Sequence, residues 1–164
     1  MKDTAARDGD ASTDLAWLLR RALGAHRAAI AQALAAAGHE DLPPLALWTI
    51  DAIGAGERTA GELALRLGAS KQTISQLVEL LARRGYVERA PDGEDRRRVT
   101  LRLTRHGRAA AATIARSCAS VEAKAREQVG AEALAQARAA LAAIRGPSSP
   151  AYAKTAARHQ TGRS

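Results

Sequence analysis

Residues 59–104 read T-A-G-E-L-A-L-R-L-G-A-S-K-Q-T-I-S-Q-L-V-E-L-L-A-R-R-G-Y-V-E-R-A-P-D-G-E-D-R-R-R-V-T-L-R-L-T. Thr59 and Glu62 have the spacing of a capping box, each side chain serving the other's backbone amide at a helix start. The helix so begun presents Leu63, Ala64 and Leu67 to a core, and Gly68 can end it in the left-handed conformation. Ser70 caps a second helix from Lys71, whose apolar positions Ile74, Leu77, Val78 and Leu81 follow an i, i+3, i+4, i+7 stripe. Gly85 closes it. Two alternating runs follow, Tyr86–Arg89 and Val99–Leu103, with the turn signal Pro91-Asp92-Gly93 between them and Glu94-Asp95-Arg96-Arg97-Arg98 at the tip. The expected fold is mainly α with a small β-hairpin wing: a winged helix-turn-helix plus a helical dimerisation region.

The polar face of the second helix carries Gln72, Ser75, Gln76 and Glu79, with Lys71 and Thr73 near its start. Amides and small hydroxyls on the first turns of a helix suit base edges in the major groove, and the helix N-terminus favours a phosphate. A solvated face would look the same, so the hairpin decides between them. From Lys71 to Arg108 there are ten Lys/Arg against five Asp/Glu, which places +5 of the chain's net +8 in this part. A basic loop beside a recognition helix suits a wing that enters the narrow minor groove.

The run Asp95-Arg96-Arg97-Arg98-Val99-Thr100-Leu101-Arg102-Leu103-Thr104-Arg105-His106-Gly107 resembles the D-R-R…L-T-x-x-G signature of the MarR family of bacterial transcription regulators. The upstream Leu77–Val87, L-V-E-L-L-A-R-R-G-Y-V, resembles the family's recognition-helix end and first wing strand. The resemblance implies a homodimer on a pseudo-palindromic operator, usually a repressor, released by a small-molecule effector. It also implies that Arg97 enters the minor groove and that Asp95 orients it. Gln76 stands where many members have an arginine. The expected DNA-contact set is Ser70, Lys71, Gln72, Thr73, Ser75, Gln76, Arg83, Asp95, Arg96, Arg97 and Arg98.

The rest of the 164 residues supports this division. Residues 1–13 are small and polar and are expected to be disordered. Residues 14–38 form a first helix capped by Asp14, with Leu15, Leu18, Leu19, Ala22, Leu23, His26, Ile30 and Leu34 on one face. Residues 42–104 form the DNA-binding domain, opening with a helix that starts at Pro43 or Pro44 and carries Leu45, Leu47, Trp48, Ile50 and Ile53. Residues 105–145 give two further helices: a long one capped by Thr104 with Ala111, Ile114, Cys118, Val121 and Ala125 in line, then one with Leu134, Ala137, Leu141 and Ile144. These last two helices carry more apolar surface than a small winged helix can cover, and a second copy is the commonest cover. Residues 146–164 are read as a disordered basic tail. Trp48 by itself reads as core. The resemblance places an effector pocket at this helix, with Trp17, His26 and Trp48 as candidate lining residues.

Hydrophobic residues make up 46% of the chain, but alanine dominates and phenylalanine is absent, which favours closely packed helices. The single Cys118 excludes an intrachain disulfide and fits a reducing cytoplasm. The first ten residues lack an apolar run, and no stretch reaches the roughly 18 apolar residues a membrane span needs. No nucleophile–base set, H-E-x-x-H or phosphate-binding glycine loop points to an enzyme. His39-Glu40-Asp41 has no second histidine at ligand spacing, so no metal or cofactor is expected. The expected partners are double-stranded DNA, a second copy and a small-molecule effector. The alternative is an architectural DNA-binding protein with little sequence preference, which the basic tail favours.

Overall fold

Four of the six helices among the described residues begin where a side chain accepts from one of the first free amides. In a computed structural model, which describes residues 14–39, 41–91 and 99–144, Asp14 accepts from Ala16 N at the head of α1 (Leu15–Ala36). Pro44 opens α2 (Pro44–Ala55), where a missing N–H costs nothing. Thr59 and Glu62 form both halves of the capping box of α3 (Ala60–Leu67). Gly68 ends that helix in the left-handed region at φ +62°. Ser70 caps α4 (Lys71–Arg83), and Thr104 caps α5 (Arg105–Val129). Gly130 separates α5 from α6 (Ala131–Ala143).

Strands β1 (Val87–Pro91) and β2 (Val99–Leu103) pair antiparallel, from Val87 opposite Leu103 to Pro91 opposite Val99. Pro91 is thus the last residue of a strand rather than the first of a turn. A strand end tolerates proline because the N–H it lacks is not required there. Residues 92–98, which carry the remaining turn signal and the arginine tip, lie outside the described residues, as do the expected disordered segments 1–13 and 146–164. On the other edge of β2, Leu101 N donates to the Arg58 carbonyl at 2.7 Å, fastening the α2–α3 connection to the hairpin.

One apolar core joins these elements. Ile30 and Leu34 of α1, Ile50 and Ile53 of α2, Leu63 of α3, Ile74 and Leu81 of α4, Tyr86 just ahead of β1, and Ile114 of α5 are all buried. The apolar face of α1 does not enter it as one stripe. Its C-terminal half is buried, whereas Leu15, Leu18, Leu19 and Leu23 are 37–54% exposed. No residue of α6 is buried.

The junction between hairpin and α5 is closely packed and hydrogen-bonded. The Thr104 amide donates to the Tyr86 carbonyl at 3.0 Å, and the Thr104 hydroxyl donates to the Gly85 carbonyl while accepting from Gly107 N. A Cβ at Gly107 would stand 1.9 Å from the Tyr86 oxygen. That oxygen is backbone held by its own hydrogen bonds, so it cannot yield. Gly107→Ala should therefore destabilise the fold by roughly 1–3 kcal/mol or more, measured by urea unfolding.

Candidate nucleic-acid interface

Helix α4 has two faces. Ile74, Leu77, Val78 and Leu81 are buried, while Lys71, Gln72, Thr73, Ser75 and Gln76 are exposed. Its N-terminus is capped by side chains. Ser70 Oγ accepts from Thr73 N at 3.0 Å, and the two hydroxyls lie 2.8 Å apart. The exposed Gln72, Gln76, Glu79 and Arg83 recur at i, i+4, i+7 and i+11, so they line one stripe of the helix. Arg83 lies about 18 Å along the axis from Lys71, which puts cations at both ends of a run of polar side chains. A projecting helix of this shape can enter a major groove and meet phosphates at either end. The wing residues Asp95, Arg96, Arg97 and Arg98 lie outside the described residues.

The three candidate pocket residues are only partly brought together. His26 stacks on Trp48, with ring centroids 6.0 Å apart and planes 15° apart. Trp17 lies nine residues earlier on α1, 44% exposed, with the Arg20 guanidinium 5.5 Å from its ring centroid. A cleft of about 310 Å³ opens further along α1, lined by Ala31, Leu34, His39, Leu42 and Leu47 among others, and by none of those three. His26 Nε2 lies 3.3 Å from Cys118 Sγ, which ties α1 to α5. Burial, and then the Asp51 carboxylate, push the Cys118 thiol above its ordinary value, against the effect of a backbone hydrogen bond.

Sequence reasoning missed a second ring cluster. His39, Tyr86 and His106 meet with centroids 4.4–5.8 Å apart, and the Tyr86 hydroxyl lies 3.5 Å from His39 Nδ1. These residues come from the α1–α2 connection, the start of the wing and the start of α5. Their separation along the chain leaves no local pattern to read. Only the burial of Tyr86 could have hinted at a partner for its hydroxyl.

Comparison with known proteins follows this geometry. A sequence model described as the MarR family matches residues 40–98. The chain superposes on the crystal structure of CouR from Rhodococcus jostii RHA1 bound to p-coumaroyl-CoA with a TM-score of 0.64 and 25% identity, covering 81% of this chain and 92% of that one. Over residues 40–98 the chain is similar to the MarR family. A probable transcriptional regulator from Pseudomonas aeruginosa shares the fold, with a TM-score of 0.63 and 21% identity over 82% of this chain and 98% of that one. An uncharacterized HTH-type transcriptional regulator, YcgE of Bacillus subtilis (strain 168), is 47% identical over 47 residues. That match spans 29% of this chain and 30% of the relative's length.

Burial, and then the neighbouring His106, hold the His39 pKa below its ordinary 6.5. Because the folded value is the lower one, the unfolded chain takes up the proton first as pH falls. Stability should be fully present above pH 6.5, decline as pH falls through that value, and level off below the folded pKa. Urea midpoints from pH 8 to pH 5 should show this decline, and His39→Gln should flatten it.

Proposed function

We propose that this protein is a MarR-type regulator, a homodimeric, sequence-specific repressor of a pseudo-palindromic operator, and that a small-molecule effector releases it. The exposed polar face of α4 carries the reading. Five uncharged or cationic side chains, from Lys71 to Gln76, project from a capped helix start whose opposite face is locked into the core. Glutamine can pair with adenine in two places, and a threonine methyl can touch a thymine methyl. In this reading Arg97 enters the minor groove, Asp95 orients it, and Arg96, Arg98 and Arg83 meet phosphates.

The dimer rests on a second observation. Leu15, Trp17, Leu18, Leu19 and Leu23 of α1 are exposed in the single chain, as are Val129, Leu141 and Ile144 at the ends of α5 and α6. Water is a poor neighbour for so many large apolar groups on three helices, and a twofold partner would cover them. The CouR structure holds a small organic ligand, which supports an effector here. The stacked His26–Trp48 pair and Trp17 are its proposed contacts.

The test is a titration against the DNA upstream of the protein's own gene, with excess nonspecific competitor, at two salt concentrations. A repressor should prefer its operator by roughly 10³-fold or more, with affinity falling steeply as salt rises. Arg97→Ala should cost roughly 1–3 kcal/mol of binding. Binding that competitor removes entirely would favour an architectural protein, and an Arg97→Ala variant that binds like wild type would refute the wing assignment.

A further inference from the structure

A cleft of about 360 Å³ lies at the root of the wing, away from α4. Three arginines line it, each from a different element: Arg58 from the α2–α3 connection, Arg102 from β2 and Arg108 from the first turns of α5. Glu88 is the one acid among its lining residues. Three guanidiniums against one carboxylate leave about two positive charges facing one concave space.

Hydrogen bonds hold the Arg58 backbone and the Arg108 side chain. The Arg58 amide donates to Glu62 Oε2 at 2.7 Å, and its carbonyl accepts from Leu101 N at 2.7 Å. Arg108 Nη1 donates to the Leu103 carbonyl at 2.8 Å, which leaves its other guanidinium donors available. Glu88 stands opposite Arg102 in the strand register, yet no ion pair joins them among the described residues. Among the described residues these three cations therefore line one cleft without an ion pair to Glu88. Like charges held together in a concave site repel, and an oxyanion bound between them would relieve that repulsion. Guanidinium forks match the tetrahedral oxygens of a phosphate, which can accept from all three at once.

We propose that this cleft is a phosphate-binding site, taking the phosphate group of a small phosphorylated ligand or of flanking DNA. It goes beyond the α4 interface, since none of its lining residues lies on α4. A bound phosphate would bridge the α2–α3 connection, the wing and α5. It would thereby stiffen the hairpin relative to the helix that follows it.

The test compares wild type with the double variant Arg58→Gln/Arg102→Gln. Both side chains are exposed, so the fold should be retained, as circular dichroism and the unfolding midpoint would verify. Isothermal titration with inorganic phosphate at constant ionic strength needs no DNA and stands apart from the operator assay. Saturable binding by wild type, at least ten-fold weaker in the variant, supports a site for free phosphate groups. A silent phosphate titration, with nonspecific duplex binding at least ten-fold weaker in the variant, assigns the site to the DNA backbone. If neither titration distinguishes the two proteins, the proposal is overturned.

Discussion

The carbonyl oxygen of Tyr86 is the point on which the architecture turns. It accepts from the amide and lies near the hydroxyl of Thr104, and Gly107 packs against it with no room for a Cβ. Through this one oxygen the end of the helix-turn-helix, the return strand of the wing and the cap of α5 are held together. The side chain of Tyr86 continues the connection on the other side, where its ring meets His106 of α5 and His39 of the α1–α2 connection. A buried backbone acceptor must find donors, and here the donors come from the helix that leads out of the DNA-binding unit. The same residues that complete the wing's hydrogen bonds therefore set the direction in which α5 leaves it.

From that junction the molecule divides its surface by chemistry. On one side the first turns of α4 present exposed, uncharged or cationic side chains behind the Ser70 cap. On the other, α1, α5 and α6 expose large apolar groups. A polar helix face on a strongly basic hairpin unit suits a polyanion, whereas exposed leucines suit another protein surface. In the proposed dimer the apolar region pairs with a copy while α4 remains free. The twofold arrangement proposed above meets both conditions.

Local chemistry made much of this legible in the sequence. The capping pairs Thr59–Glu62 and Ser70–Thr73 and the left-handed Gly68 are short-range signals, and each holds as read. Gly107 stood in a recognisable L-T-x-x-G pattern, but its reason, the Tyr86 oxygen, is visible only in three dimensions. Periodicity marked the apolar face of α1 but could not tell which half meets this chain's own core. Pro91 read as a turn because proline usually breaks strands, yet it fits a strand's last position. The contacts that escaped are long-range: His26 with Cys118, His39 with His106, and the arginines 58, 102 and 108 around one cleft. No repeat or spacing links such residues, because the fold rather than the local chain brings them together.

The central claim is that two copies hold two α4 helices over successive major grooves. Hydroxyl-radical footprinting of the protein on its upstream DNA tests it most directly. The account predicts two protected half-sites, symmetric in sequence and about one helical turn apart centre to centre. Protection of a single half-site, or uniform protection along the fragment, would contradict it.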